Sequence, residues 1–144
     1  MHLMRKLNVA VLLWAVAAGA AFAETVTLKA DLEPSSEVPP NTSKGHGALQ
    51  ATFDTASKNL KWKVTYEGLT GPATMAHFHG PAPVGQNAGV QVGIPKEKLA
   101  SPIEGDKTLS DVQADDLMKG KWYFNVHTAA NPSGEIRGQV LPAN

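Results

Sequence analysis

His77 and His79 stand on either side of Phe78, so two imidazoles are spaced two residues apart. On an extended strand alternate side chains point the same way, and both rings leave the backbone on one face. Two neutral imidazoles side by side are half of a transition-metal site. Gly80-Pro81-Ala82-Pro83 follows at once and ends the strand, which leaves the pair at a loop mouth. His127 closes a second stretch of strand character, Lys121 to His127. Trp122, Phe124 and Val126 take the inward positions there, as Ala76 and Phe78 do in the first strand. The three histidines therefore face away from the core, with Met75 sharing the face of His77 and His79. If the two strands are neighbours, His77, His79 and His127 converge on one ion. Three imidazoles suit copper or zinc, copper being favoured, and a thioether such as Met75 tilts the choice toward Cu(I). An open fourth position would admit redox or hydrolytic chemistry. The alternative is that these are surface histidines at strand ends, hydrogen-bonded to loop carbonyls.

Other residues are candidates for supporting roles. His46, in Gly45-His46-Gly47, is an additional candidate ligand or an exposed loop residue. Glu37, just before Val38-Pro39-Pro40, is a carboxylate that could orient an imidazole from behind. Asn125 shares the face of His127 and is a candidate for the same supporting layer. Glu135 and Arg137 flank Ile136 on the polar face of the last strand; they would form a cross-strand ion pair, or Arg137 would attract anions to a nearby site. The chain has no phosphate-binding loop, dinucleotide fingerprint or Ser-His-Asp order. Asp115-Asp116 reads as a solvated helix face.

Period-two alternation dominates the elements that must hold these residues. Val26, Leu28, Ala30 and Leu32 alternate with polar residues from Thr25 onward and predict a half-buried strand. Glu33 to Gly47 is rich in Pro, Ser and Gly and predicts a loop. Leu49, Ala51 and Phe53, then a turn, then Leu60, Trp62, Val64 and Tyr66, predict a hairpin with one buried face. Strands are expected over Ala73 to His79, around Val90 to Ile94, over Lys121 to His127, and over Glu135 to Leu141. Ser110 is placed to cap one short helix from Asp111 to Lys119, with acids early and a lysine late. The segments do not repeat one another. About 7–8 short antiparallel strands with at most one helix predict an all-β fold, a Greek-key β-sandwich or flattened barrel, in one domain.

The first residues read as an export signal. Arg5 and Lys6 precede an apolar stretch from Leu7 to Ala20, and Ala21-Phe22-Ala23 supplies a small-x-small cleavage pattern. Removing residues 1–23 of the 144 leaves a domain of 121 residues, 24–144. The signal carries two of the 13 basic residues, leaving 11 against 13 acidic ones, a net charge of −2 with histidines neutral. No basic face appears, so nucleic acid is not an expected partner. No later stretch is apolar for long enough to span a membrane. The chain has no cysteine, which excludes thiolate chemistry, disulfides and a lipobox anchor. The expected location is periplasmic or secreted, and the expected partners are a metal ion or another exported protein.

Three groups of residues together resemble the CHRD (chordin-type) domain family. They are Glu37-Val38-Pro39-Pro40, then Gly68-Leu69-Thr70-Gly71 with Ala76-His77-Phe78-His79-Gly80-Pro81-Ala82, and finally Trp122 to Thr128 with Asn131 to Gln139. The resemblance spans nearly the whole exported part and implies a β-sandwich of exported bacterial proteins and chordin, without an established enzymatic activity. His46 lies outside that pattern. More distantly, Leu60 to His79 and the stretch from Val126 to Arg137 are similar to the copper-binding segments of copper,zinc superoxide dismutases. That likeness implies copper ligands at His77, His79 and His127 and an anion-guiding role for Arg137. The bridging histidine, the zinc loop and the disulfide cysteines of that family have no counterpart here. The sequence thus leaves three readings open: a mononuclear metal-binding protein for storage, delivery or protection, a copper-only dismutase-like enzyme, and a metal-free adhesion or interaction module.

Overall fold

A computed structural model describes residues 22–143. The expected export signal lies almost wholly outside the described residues. Strand β1 (Thr25–Leu32), β2 (His46–Asp54) and β3 (Asn59–Glu67) form a meander, and β4 (Ala73–His79) and β5 (Val90–Gly93) follow in the second layer. Next come β6 (Ile103–Thr108), α1 (Asp111–Met118), the single α-helix among the described residues, and then β7 (Tyr123–Thr128), β8 (Ile136–Gln139) and the two-residue β9 (Leu141–Pro142). The strands make two antiparallel sheets, ordered β6-β3-β2-β1-β9 and β5-β4-β7-β8. This is the expected all-β sandwich, with nine strands among the described residues.

The alternating residues of both sheets meet between the layers. Leu28, Leu32, Leu49, Phe53, Leu60 and Val64 come from the larger sheet, and Phe78, Phe124, Val126 and Ile136 from the smaller. Phe78 is the hub: its ring lies 5.2 Å from Trp62 across the sandwich, 4.9 Å from Phe124 on the neighbouring strand and 5.9 Å from Trp122. Burying a side chain of this size stabilises a fold by about 1.5–3 kcal/mol. Because Phe78 is fixed inward, the pleat fixes His77 and His79 outward.

Two strands were not expected: the last expected strand, Glu135 to Leu141, divides into β8 and β9, which pairs with β1 in the other sheet, and β6 had no sequence signal. In β6 only Ile103 is both apolar and buried, and the remaining Glu104, Gly105, Asp106, Lys107 and Thr108 give no alternation to read. It is an edge strand, and a charged, short edge strand protects a sheet from further pairing. The helix follows expectation closely. Ser110 Oγ accepts from the Gln113 backbone N–H at 3.2 Å, and the Gln113 side chain accepts from the Ser110 backbone N–H at 3.0 Å, a reciprocal cap. Lys119 closes the helix as its C-cap.

Candidate metal centre

Strands β4 and β7 are hydrogen-bonded neighbours, which is the condition the three histidines needed. Their register sets Met75 opposite His127, His77 opposite Asn125 and His79 opposite Tyr123. These six side chains lie on the outer face of the smaller sheet. That face is not open to solvent, however. The loop between β1 and β2 brings Glu37 over it, and the loop between β4 and β5 brings Asn87 and Ala88. Asn87 Nδ2 donates to the Val38 carbonyl at 3.1 Å, tying the two loops together. As a result every residue of β7 is buried, on the core side by packing and on the outer side by loops. His79 is 9% exposed and His127 7%, and only His77 is half-buried.

One nitrogen of His79, one of His127 and one of His77 lie within 4.8 Å of one another. The rings of His77 and His127 are 5.1 Å apart at their centres and those of His77 and His79 5.3 Å. His77 Nδ1 approaches His127 Nε2 at 3.3 Å. An ion bonded to each at about 2.0–2.1 Å needs them no more than about 4.2 Å apart, so binding draws the rings slightly inward.

Backbone carbonyls orient two of the rings. His79 Nδ1 meets the Ala88 carbonyl at 3.0 Å, and His127 Nδ1 meets the Pro132 carbonyl at 2.9 Å. A carbonyl can only accept, so both Nδ1 atoms carry the proton and, in the neutral rings, both Nε2 atoms present lone pairs inward. Tyr123 supports the same arrangement. Its ring stacks flat on His79 at 4.7 Å, its hydroxyl donates to the Ala88 carbonyl at 3.2 Å and accepts from the Ala88 N–H at 3.0 Å. Burial, with the neighbouring His127 and His79 charges, pushes His77 down to about 4, and burial also lowers His79. Both rings are thus held neutral, the form that binds a metal.

Asn125 and Glu37, expected to support the imidazoles, stand one behind the other beside them. Asn125 Oδ1 lies 2.9 Å from His79 Nε2 and 3.1 Å from His127 Nε2, and Asn125 Nδ2 donates to Glu37 Oε2 at 3.3 Å. Glu37 therefore acts on the imidazoles through Asn125 and does not touch them itself. Burial pushes its carboxyl up to about 7, against the lowering influence of the Asn125 amide and the Arg137 guanidinium. Gly134 makes room for this pair. It has φ +125°, and a Cβ there would lie 1.6 Å from Glu37 Oε2 and 2.7 Å from Asn125 Nδ2. Nothing in the sequence marked Gly134, Tyr123, Ala88 or Pro132 as part of the site, because three of them contribute backbone or empty space.

The remaining candidates fall elsewhere. Met75 points to the same side as the triad but is 44% exposed at its rim. His46 opens β2 in the other sheet and pairs with Glu67 at 3.1 Å; it is not among the converging histidines. Glu135 and Arg137 form no ion pair. Glu135 is fully buried and takes hydrogen bonds from Ser43 Oγ at 2.9 Å, the Thr70 N–H at 3.0 Å, Thr128 Oγ1 at 2.7 Å and Asn131 Nδ2 at 3.0 Å, with Thr70 Oγ1 closer still. Burial alone would raise its carboxyl, but the hydrogen bonds from Thr70, Thr128 and Ser43 outweigh it and hold the group at about 2. Arg137 is only 2% exposed. Its guanidinium covers the Tyr123 ring at 3.5 Å, donates to Asn87 Oδ1 at 2.8 Å and also bonds the Gln86 carbonyl. It clamps the covering loop and is not presented to an incoming anion.

Residues 28–140 match the model of the CHRD domain family. The chain belongs to the CHRD domain family. Comparison with curated proteins and with solved structures gave no match. Family membership accounts for the sandwich and for the order of its signature segments. The chemistry of this CHRD domain has to be argued from the histidine cluster itself.

Proposed function

We propose that this CHRD-domain protein is exported to a periplasmic or extracellular location. There it binds a transition metal, copper favoured, through His77, His79 and His127, serving storage, delivery or protection. The observation that carries the reading is the convergence of three imidazole nitrogens within 4.8 Å, with two rings fixed so that their lone pairs point inward. Export rests on the expected signal at residues 1–23 and on the family. Among the described residues no helix is long and apolar enough to cross a membrane. The test is titration of the purified protein with copper ions against a competing chelator. One equivalent should bind, and His77→Ala and His127→Ala should each weaken binding at least about tenfold, since even supporting residues of metal sites carry that much. Unchanged affinity in both variants would overturn the reading.

The dismutase-like alternative asks for an arginine open to solvent, and Arg137 is held beneath a loop by two hydrogen bonds and an aromatic ring. The metal-free interaction module is favoured by one observation, the bonds from His79 and His127 to loop carbonyls. Those bonds occupy one nitrogen of each ring and leave the other facing its neighbours. A protein that binds no metal, with the histidine variants folding as before, would establish that alternative.

A further inference from the structure

We infer that the side-chain oxygen of Asn125 is a fourth metal donor, aimed by Glu37, and that it makes the site selective for a divalent borderline cation such as Cu(II) or Zn(II) over Cu(I). This rests on the three-histidine reading above and sharpens it, because the thioether of Met75 had pointed toward Cu(I).

The argument begins with an inventory of protons. In the neutral form that binds a metal, His79 and His127 spend their only N–H on the carbonyls of Ala88 and Pro132. Their Nε2 atoms then have lone pairs and nothing to donate. Asn125 Oδ1 is also an acceptor, yet it sits 2.9 Å and 3.1 Å from those two nitrogens. No hydrogen lies between Asn125 Oδ1 and these two nitrogens, buried where each uncompensated polar atom is costly; the one further donor in reach, His77 Nδ1, serves His127 alone at 3.3 Å. Reversing the amide would put its oxygen against Glu37, an acceptor facing an acceptor whenever that carboxyl is ionised. A cation at the point of convergence satisfies every one of these atoms.

The spacing agrees. Donors bonded to one ion at about 2.0–2.1 Å lie about 2.9–3.4 Å apart for bond angles between a right angle and the tetrahedral value. The observed separations are 2.9 Å from Asn125 Oδ1 to His79, 3.1 Å to His127, and 3.3 Å between His127 and His77. Three imidazoles and one carboxamide oxygen form an N3O set. Oxygen donors favour harder, divalent ions, whereas Cu(I) gains little from them.

The experiment compares Zn(II), Cu(II) and Cu(I) affinities of the full protein and its variants by chelator competition, with the electron paramagnetic resonance spectrum of the Cu(II) form. Asn125→Leu should lose about 10–100-fold in Zn(II) and Cu(II) affinity, the scale of such partners, with Cu(I) affinity changed by less than about threefold. Its Cu(II) spectrum should shift as the oxygen donor is lost. Glu37→Leu removes the acceptor that orients the amide, and should weaken divalent binding in the same direction; it decides the matter if Asn125→Leu does not fold. Unchanged divalent affinity and an unchanged spectrum in these variants, while His77→Ala still abolishes binding, would overturn the role of Asn125 and leave the histidine site standing. Failure of the wild-type protein to bind any of the three ions would overturn both.

Discussion

The outer faces of the two sheets are built from the same strand geometry and end in opposite states. On the larger sheet the register sets Lys29, Gln50, Lys63 and Glu104 in one row and Thr27, Thr52, Lys61 and Asp106 in the next. Most of these are exposed. On the smaller sheet the corresponding rows hold His77, Asn125 and Arg137, and His79, Tyr123 and Gln139. There Tyr123, Asn125, His79 and Arg137 are buried. The difference lies in the connections. A tight turn joins β2 to β3, while the long β1–β2 connection leaves the larger sheet's face bare and, clasped to the β4–β5 loop through Val38 and Asn87, roofs the other face. Polar side chains in water are individually replaceable. Under a roof each must be satisfied, which makes that face costly to build and chemically specific.

Substitutions should separate the faces most clearly at Glu135. Ser43, Thr70, Thr128 and Asn131 all donate to its buried carboxylate, so Glu135→Ala orphans several donors at once. We expect a loss of more than about 3 kcal/mol in urea unfolding, against less than about 0.5 kcal/mol for Lys63→Thr on the exposed face. Similar losses at the two positions would break the comparison. Gly134→Ala comes next. The strained φ of +125° and the collision with Glu37 should cost about 2–3 kcal/mol and should also displace the Asn125 amide, lowering divalent metal affinity. A variant that melts like wild type and binds metal equally would show that the roof has slack.

The smallest expected effect is a pH dependence. The Glu37 carboxyl sits at about 7 in the fold against an ordinary value of 4.5, so the folded chain keeps a proton the unfolded chain releases. Its contribution is full below pH 4.5 and is lost as pH rises through about 7. His77 works in the opposite sense. Held at about 4 against an ordinary 6.5, it refuses a proton the unfolded chain takes, and stability grows as pH rises between those values. In metal-free protein the two trends offset one another. Glu37→Gln removes only the first, and urea midpoints should then climb more steeply between about pH 4.5 and 6.5, by on the order of 1 kcal/mol across the window. Parallel profiles would mean that Glu37 is not held protonated by burial.

Legibility in the sequence followed the physics of each feature. Strand β4 was readable to the residue, because Phe78 and the Gly80-Pro81 stop leave little freedom. Strand β6 was not, since an edge strand with one buried side chain carries no period. The ion pair expected between Glu135 and Arg137 failed for a related reason. Sharing a strand face fixes direction, whereas the partner comes from whatever the loops deliver, here hydroxyls to one and the Asn87 amide to the other. His46 showed the limit of counting histidines, because its strand belongs to the other sheet.

By itself, then, the sequence determined the alternation that sends Phe78 inward and His77, His79 and His127 outward, the sandwich those alternations require, and the CHRD family to which the chain belongs. Only the tertiary structure decided that β4 and β7 are neighbours, that two loops bury the outward face, and that carbonyls of Ala88 and Pro132 take the imidazole protons. The reason is one of range. Side-chain direction is set locally by the pleat of a strand, but the supply of protons and lone pairs at a buried point depends on backbone brought there from distant parts of the chain.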